Sequence, residues 1–251
     1  MALIKRCSCG LEVDSQFKSS QMHGLTMRTC PSCLVRHQVV ELSTSEYSKF
    51  YSDDYHTSFQ DDTTQGPYRD RFEHDRHIAH IRFKEYHKFL TAENTRLLDI
   101  GSGNGAFVYE ASGRGFESYG LEPGKKAYLD FLGENIVNKT LDECSLEDFG
   151  SFGERFGIVV MHDVIEHLVD PVSALRKIRD YLLEDDGLLV VDLPDYYRPE
   201  GLHHWRPTQH LWFWNTTQAA DMLANESFKI ASMTHPIPGK TVFYLGGKSY
   251  K

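Results

Sequence analysis

Asp163, Glu166 and His167 stand at positions i, i+3 and i+4 in the run Met161-His-Asp-Val-Ile-Glu-His-Leu-Val-Asp-Pro171. In a helical turn that spacing puts all three on one face. The run begins in an apolar segment, Phe156 to His162, that reads as a buried strand, so the turn would lie at the strand's carboxyl end. Open α/β sheets bind their ligands at that edge. His167 titrates near neutral pH and could take a proton from a hydroxyl or an amine. The plainer reading, in which Glu166 and His167 only cap and brace the helix, stands beside it.

A second group is a backbone feature. Leu97-Leu-Asp-Ile-Gly-Ser-Gly-Asn-Gly105 reads as a buried strand turning on glycines into a helix. Gly101, Ser102, Gly103 and Gly105 would leave main-chain N–H groups and a helix N-terminus bare to a nucleotide-like ligand. The register Gly101-x-Gly103-x-x-Ala106 also fits a dinucleotide fingerprint. Asp99, inside the strand, favours a ligand carrying positive charge. Glu122 lies 21 residues past Gly101, at the end of the next predicted strand and just before Pro123, where an acid can grip ribose hydroxyls. His162 ends its own strand at the same edge and is grouped with this site.

The third group is sulfur. Five cysteines are present, and four occur as Cys7-x-Cys9 and Cys30-x-x-Cys33. Two close pairs about 20 residues apart read as a thiolate cage for structural Zn2+. The first pair has one intervening residue where two to four are usual, so His23 or His37 could replace a thiolate. The alternative is four ordinary thiols in a small hairpin. The segment between the pairs is too polar to form a core without metal, and a closed four-thiolate site has no open position for catalysis.

The elements that must position these groups follow from patterning. A strand is expected over Val35 to Leu42, an aromatic cluster around Tyr47, Phe50, Tyr51, Tyr55 and His56, and a linker from Asp61 to Pro67. Three- and four-residue apolar steps predict a helix from Tyr68 to Leu90, with His74, His77, His80 and His87 on its solvated side. Further helices are expected over 106–112, 125–132 and 216–225, and strands over 116–121, 136–139, 187–192, 228–233 and 241–245. Between the strand ending at Asp192 and Trp214, the segment holding Tyr196, His203, His204, Trp205, Arg206 and His210 looks like a substrate lid. Length and a 40% hydrophobic content suit one mid-sized domain with an appendage, and a net charge of −9 disfavours general nucleic-acid binding. No run approaches the roughly 18 apolar residues of a membrane span, and the first residues lack a signal peptide's apolar stretch. A cytoplasmic location is therefore the expectation.

Taken together, Leu97 to Gly105, Glu122, Glu166-His167-Leu-x-Asp170-Pro171 and Gly187-Leu-Leu-Val-Val-Asp192-Leu-Pro resemble the class I S-adenosylmethionine-dependent methyltransferases. The likeness is to the subgroup of ubiquinone-biosynthesis and sugar methyltransferases, across about Leu97 to Phe228. It implies a seven-stranded, doubly wound, Rossmann-like α/β sheet with an N-terminal zinc ribbon, divided as 1–44 ribbon, 45–90 aromatic linker and helical cap, and 91–251 methyltransferase domain with a lid at about 194–214. By position in the family, Asp142 would contact adenine, with Leu141 covering the ring, and His210 would sit near the donor. The ubiquinone branch also suggests that acid-x-x-Glu-His holds a divalent metal, although Asp163 is shorter than the Glu usual there. The final antiparallel hairpin and the lack of a second nucleotide-binding half argue against a dehydrogenase.

The function expected is methyl transfer from S-adenosylmethionine to an O or N atom of a small polar molecule. Asp163, Glu166, His167 and His210 are its candidate catalytic residues, and Tyr55 joins the lid residues as a substrate contact. Zinc-ribbon methyltransferases of ribosomal RNA share the domain order, and a non-catalytic binding module is the third reading. The chain is expected to act as a monomer or homodimer on a small molecule, away from membranes.

Overall fold

The computed structural model describes residues 3–22, 24–50, 71–86, 88–89, 95–124, 135–150, 153–204, 206 and 209–249. Its first strands, β1 (Lys18–Met22), β2 (Leu25–Thr29) and β3 (Arg36–Gln38), form an antiparallel ribbon. Helix α1 (Thr44–Lys49) starts at Ser43, where a reciprocal capping box with Glu46 satisfies the first amides. Helix α2 (Phe72–Tyr86) buries Ala79, Phe83 and Tyr86 and exposes His74, His77 and His80. It is shorter than the 68–90 predicted, and His87, Leu90, the expected linker and the expected helix over 125–132 lie outside the described residues.

From here strand and helix alternate: β4 (Arg96–Ile100), α3 (Ala106–Ser112), β5 (Glu117–Leu121), β6 (Ile136–Val137), β7 (Phe156–His162), α4 (Pro171–Lys177) and β8 (Leu183–Pro194). Asp170 caps α4 by accepting from Ser173 N–H at 2.9 Å, with Pro171 in the first turn, where its missing N–H costs nothing. The chain ends with β9 (Trp212–Phe213), α5 (Thr216–Asn225), β10 (Lys229–Thr234) and β11 (Lys240–Gly246). The main sheet has seven strands in the order β10-β11-β8-β7-β4-β5-β6, all parallel except β11, which runs antiparallel to both neighbours. This is the expected doubly wound sheet with its closing hairpin. Sequence order reverses at β4, which pairs with β5 on one side and β7 on the other.

Alternation along the strands separates the two faces. Leu98, Ile100, Val159, Met161, Leu189 and Val191 enter one apolar cluster; Leu97, Ile158, Val160, Leu188 and Val190 pack on the other side with Phe83, Tyr86 and Phe107. Both faces are covered, which is why the strands read as continuous apolar runs. The same alternation carries Asp99, His162 and Asp192 to the α2 side at the carboxyl ends of their strands.

The ribbon does not stand apart. Leu3, Ile4, Phe17 and Val35 share the first cluster with Trp212, Trp214 and the sheet. β3 pairs with β9, so the second sheet, β1-β2-β3-β9, takes its fourth strand from the expected lid.

Candidate active site

The glycine turn is held in shape by its backbone. Gly101, Gly103 and Gly105 have φ of 72°, 55° and 72°, a left-handed region that side-chain-bearing residues rarely adopt. A Cβ on Gly101 would lie 2.4 Å from Val164 Cγ2, so the turn between β7 and α4 rests directly on the glycine turn. Gly101 and Ser102 donate N–H to the Leu121 carbonyl at 2.7 and 3.2 Å, tying the turn to β5. Gly120 leaves room for Ser102, whose buried hydroxyl has no hydrogen-bond partner among the described residues. Left-handed glycines and an orphaned buried hydroxyl at the switch point make a cradle suited to a polar ligand such as S-adenosylmethionine.

Glu122 stands where the spacing put it, buried at the end of β5. Its Oε2 accepts from Gly103 N–H at 2.9 Å and its Oε1 from Gly124 N–H at 2.8 Å. Pro123 beside it is half-buried, while Asp142 exposes its side chain beyond β6 and Leu141 is buried. Asp99 faces His162, with Oδ1 3.8 Å from Nδ1, and His162 in turn is hydrogen bonded through Nε2 to the Tyr86 hydroxyl. Burial pushes Asp99 above the usual carboxylate range against the pull of His162, and burial holds His162 down to about 4.

The expected face of Asp163, Glu166 and His167 does not form as one face. Asp163 has φ of 56°, and its N–H donates to Asp192 Oδ1 at 3.1 Å, which swings its carboxylate out of the turn. The carboxylate meets Lys240 in an ion pair and Arg82 at 3.5 Å. Burial opposes its charge, but the two cations hold it well below the ordinary range. Arg82 also grips Asp192, which has no exposed surface, through Nε at 3.1 Å and Nη2 at 2.6 Å. Arg82, Asp192 and Lys240 were not singled out from the sequence. The only signal for them was a charge amid apolar residues, and Arg82 lies on a helix rich in exposed charge.

Glu166 and His167 instead occupy a 3-10 turn, Ile165–His167, and the lid delivers His210 to them. One ligand-type atom from each of Glu166, His167 and His210 lies within 4.8 Å of the others, all buried. The Gln209 carbonyl, 3.0 Å from His167 Nδ1, can only accept, so Nδ1 carries the proton and the base face is Nε2. His210 Nδ1 is hydrogen bonded to the Tyr196 hydroxyl. Burial raises Glu166 well above the usual carboxylate range, with the Asp163 charge adding to it, and neither carboxylate oxygen has a hydrogen-bond partner among the described residues. Burial lowers His167 to about 4 and His210 well below its ordinary value, so both imidazoles are neutral at physiological pH.

The lid histidines separate. His210 is buried in the cluster, whereas His203 is exposed and His204 donates from Nε2 to the Pro238 carbonyl at 2.8 Å. Arg206 is exposed; Tyr55 and Trp205 lie outside the described residues, as does His23. In the ribbon, Cys7 and Cys33 sulfurs are 3.5 Å apart and Cys9 and Cys30 sulfurs 3.6 Å apart, and all four lie within 4.8 Å. Four thiolates bound at about 2.3 Å around one tetrahedral zinc would be about 3.8 Å apart. The four-cysteine set therefore fits a zinc ion. His37 is buried against Trp212, with its ring 5.5 Å away, and is not grouped with the sulfurs.

Comparison with known proteins agrees with this geometry. Residues 72–232 match the family model described as a methyltransferase domain, and the chain belongs to that family. Its sheet is the one found in class I S-adenosylmethionine-dependent methyltransferases. The chain is 32% identical over 107 residues to the ubiquinone biosynthesis O-methyltransferase of Cereibacter sphaeroides (40% of this chain, 42% of that protein). It is 26% identical over 109 residues to the tRNA U34 carboxymethyltransferase of Campylobacter hominis (41% and 37%). The matched stretch thus spans about two fifths of these relatives. Among solved structures, the fold is similar to the 1,6-didemethyltoxoflavin-N1-methyltransferase of Burkholderia thailandensis, with a TM-score of 0.57 at 14% identity, covering 92% of this chain and all (100%) of that one. It is also similar to the magnesium protoporphyrin IX methyltransferase of Synechocystis, with a TM-score of 0.53 at 11% identity, covering 81% and 99%. Among the described residues, no helix is long and apolar enough to cross a membrane.

Proposed function

We propose that the chain transfers a methyl group from S-adenosylmethionine to an oxygen or nitrogen of a small polar molecule, of the sugar or natural-product-intermediate kind. The observation that carries this reading is the seating of Val164 on Gly101, which sets the Glu166–His167 turn against the donor cradle. Gly101, Ser102, Gly103, Gly105, Asp99 and Glu122 would hold the donor, with Pro123, Asp142 and His162 around it. When bound, the donor supplies an electrophilic methyl group on a sulfonium sulfur.

What the chain adds is position and a place for a proton. Holding acceptor and donor in line converts an encounter into a unimolecular step. His167 takes the acceptor's proton at Nε2, with His210 beside it at a ring separation of 4.6 Å. Glu166, kept protonated by burial, offers a hydrogen bond to the acceptor. Asp163 keeps its charge and anchors the Lys240 end of the pocket, while Tyr196, His203, His204 and Arg206 of the lid meet the acceptor. The test is incubation with S-adenosylmethionine carrying a radiolabelled methyl, against a small-molecule extract and against total RNA. Label in the small-molecule fraction, lost with His167→Ala, is expected. Label confined to RNA would replace this reading with an RNA methyltransferase, and failure to bind the donor by calorimetry would leave a binding module.

The cluster of Glu166, His167 and His210 favours a second reading. A carboxylate without a partner beside two imidazoles, each oriented through Nδ1, is a donor set that can hold a divalent cation. Such an ion would lower the pKa of a substrate hydroxyl. Label transfer at an undiminished rate after exhaustive chelation would sink it.

A further inference from the structure

Among the described residues, a chain of hydrogen bonds ties the ribbon to the Glu166–His167–His210 half of the site. Each cysteine knuckle makes a bond to the end of the lid or the helix after it: Trp214 Nε1 donates to Ser8 Oγ at 3.1 Å, between Cys7 and Cys9, and Gln218 Nε2 donates to the Cys33 carbonyl at 3.1 Å. Leu211 is held from both sides. Its carbonyl accepts from Gln38 N–H of the ribbon at 2.8 Å, and its N–H donates to the Glu166 carbonyl at 2.8 Å. Trp212, stacked on Trp214 at 5.6 Å, donates from Nε1 to the Leu168 carbonyl at 2.7 Å. Tyr47 closes the path by donating its hydroxyl to the His167 carbonyl at 3.0 Å. The donor turn is braced differently, by Leu121, by Glu122 and by Asp75, which accepts from Asn104 Nδ2 at 2.7 Å.

From this wiring we infer that the four-cysteine ribbon sets the acceptor side of the site, with Ser8, Tyr47 and Trp214 as positioning residues for the Glu166–His167–His210 turn. Metal in the ribbon fixes the Cys7–Cys9 and Cys30–Cys33 knuckles, the knuckles fix β3, and β3 fixes β9 by strand pairing. The donor cradle forms without this help. The cysteine module is thus a splint for the lid, which explains why a closed thiolate site with no catalytic position is kept on an enzyme.

The inference rests on the donor reading above, and its test separates the two. The full chain is purified with its zinc, the zinc content is measured, and binding of S-adenosylhomocysteine is followed by calorimetry alongside amide hydrogen exchange. Zinc at one equivalent is expected. Removing it with a thiol-reactive mercurial and a chelator should speed exchange at residues 165–168 and 209–214 roughly tenfold or more, while exchange at 97–105 and the affinity for S-adenosylhomocysteine stay within about twofold. Tyr47→Phe and Ser8→Ala, made in the zinc-loaded chain, should speed exchange at 165–168 and 209–214 by smaller factors, and Ser8→Thr should restore the original rate. These variants carry the test if the metal-free chain unfolds. Unchanged exchange at 209–214 in the metal-free chain and in both variants would overturn the inference, as would a fall in S-adenosylhomocysteine affinity in step with the faster exchange. A chain purified without zinc would overturn its metal dependence. A wild-type chain that binds no S-adenosylhomocysteine would instead overturn the donor reading.

Discussion

The donor cradle and the acceptor turn touch at Gly101 and Val164 but are assembled in different ways. The cradle is almost contiguous: Asp99 to Gly105 supplies most of it, and Glu122 joins from the next strand by accepting from Gly103 N–H. Its chemistry lies in backbone conformation, so it tolerates little change of residue and needs few distant partners. The acceptor turn draws Glu166 and His167 from β7's exit, His210 and Tyr196 from the lid, and Tyr47 and Trp212 from either side of them. Local geometry builds the first, and long-range packing builds the second. Substitutions in the cradle should therefore act chiefly on donor affinity, whereas those around the acceptor turn should act chiefly on stability.

The largest effect of any single substitution is expected at Trp212, which is fully buried between ribbon and sheet. Trp212→Ala should cost about 3–5 kcal/mol of stability in denaturant unfolding, from lost burial and the cavity left behind. Acid should act next. His37 and His162 are held down to about 4 by burial, so the unfolded chain takes up their protons first. Stability should then be intact above 6.5 and fall as pH drops from 6.5 toward 4, by up to about 1.4 kcal/mol per pH unit for each histidine. Thermal melts of His37→Phe, which removes one of these groups, should show a shallower slope in that window.

Glu122→Gln removes the charge behind two N–H bonds at the cradle and should weaken S-adenosylhomocysteine binding by about 1.5–3 kcal/mol in calorimetry. Gly101→Ala strains a φ of 72° and presses on Val164, so it should cost about 1–3 kcal/mol of stability in denaturant unfolding and also weaken S-adenosylhomocysteine binding. If either substitution lowered the melting temperature as much as Trp212→Ala, the contrast between the two halves would be wrong. The smallest effect belongs to His203, exposed on the lid, where alanine should change stability by no more than about 0.5 kcal/mol.

Glu166 allows the comparison to be sharpened further. Its folded-state pKa is raised, so above an ordinary value of about 4.5 the unfolded chain releases a proton that the folded chain keeps. Stability is thereby lowered as pH rises through that window. Glu166→Gln should raise the melting temperature at neutral pH while leaving label transfer within about tenfold, because the amide still donates to the acceptor; a complete loss of transfer would favour the divalent-cation reading.

The strand segments, the glycine turn, Glu122 and the cysteine pairs were legible because each is encoded within a few residues: apolar runs for strands buried on both faces, glycines for left-handed backbone, paired sulfurs for a metal; the doubly wound sheet came only through the family resemblance. His210 was preferred over His203 and His204 by its family-like context, and only the fold separated them by burial. Spacing failed at Asp163, because i, i+3, i+4 assumes a regular helical turn and the structure places a left-handed residue at its start. No local pattern announces Arg82, Asp192 and Lys240, whose meeting depends on a helix, two strands and their register. Nor does any pattern show that three residues of the ribbon and two of the lid would pair as strands. Where the backbone must bend and which faces must be buried is written locally in the chain, since those follow from glycine sterics and hydrophobic period. Packing across distant segments is what brings Glu166, His167 and His210 together, because burial, not sequence spacing, sets their partners and their protons.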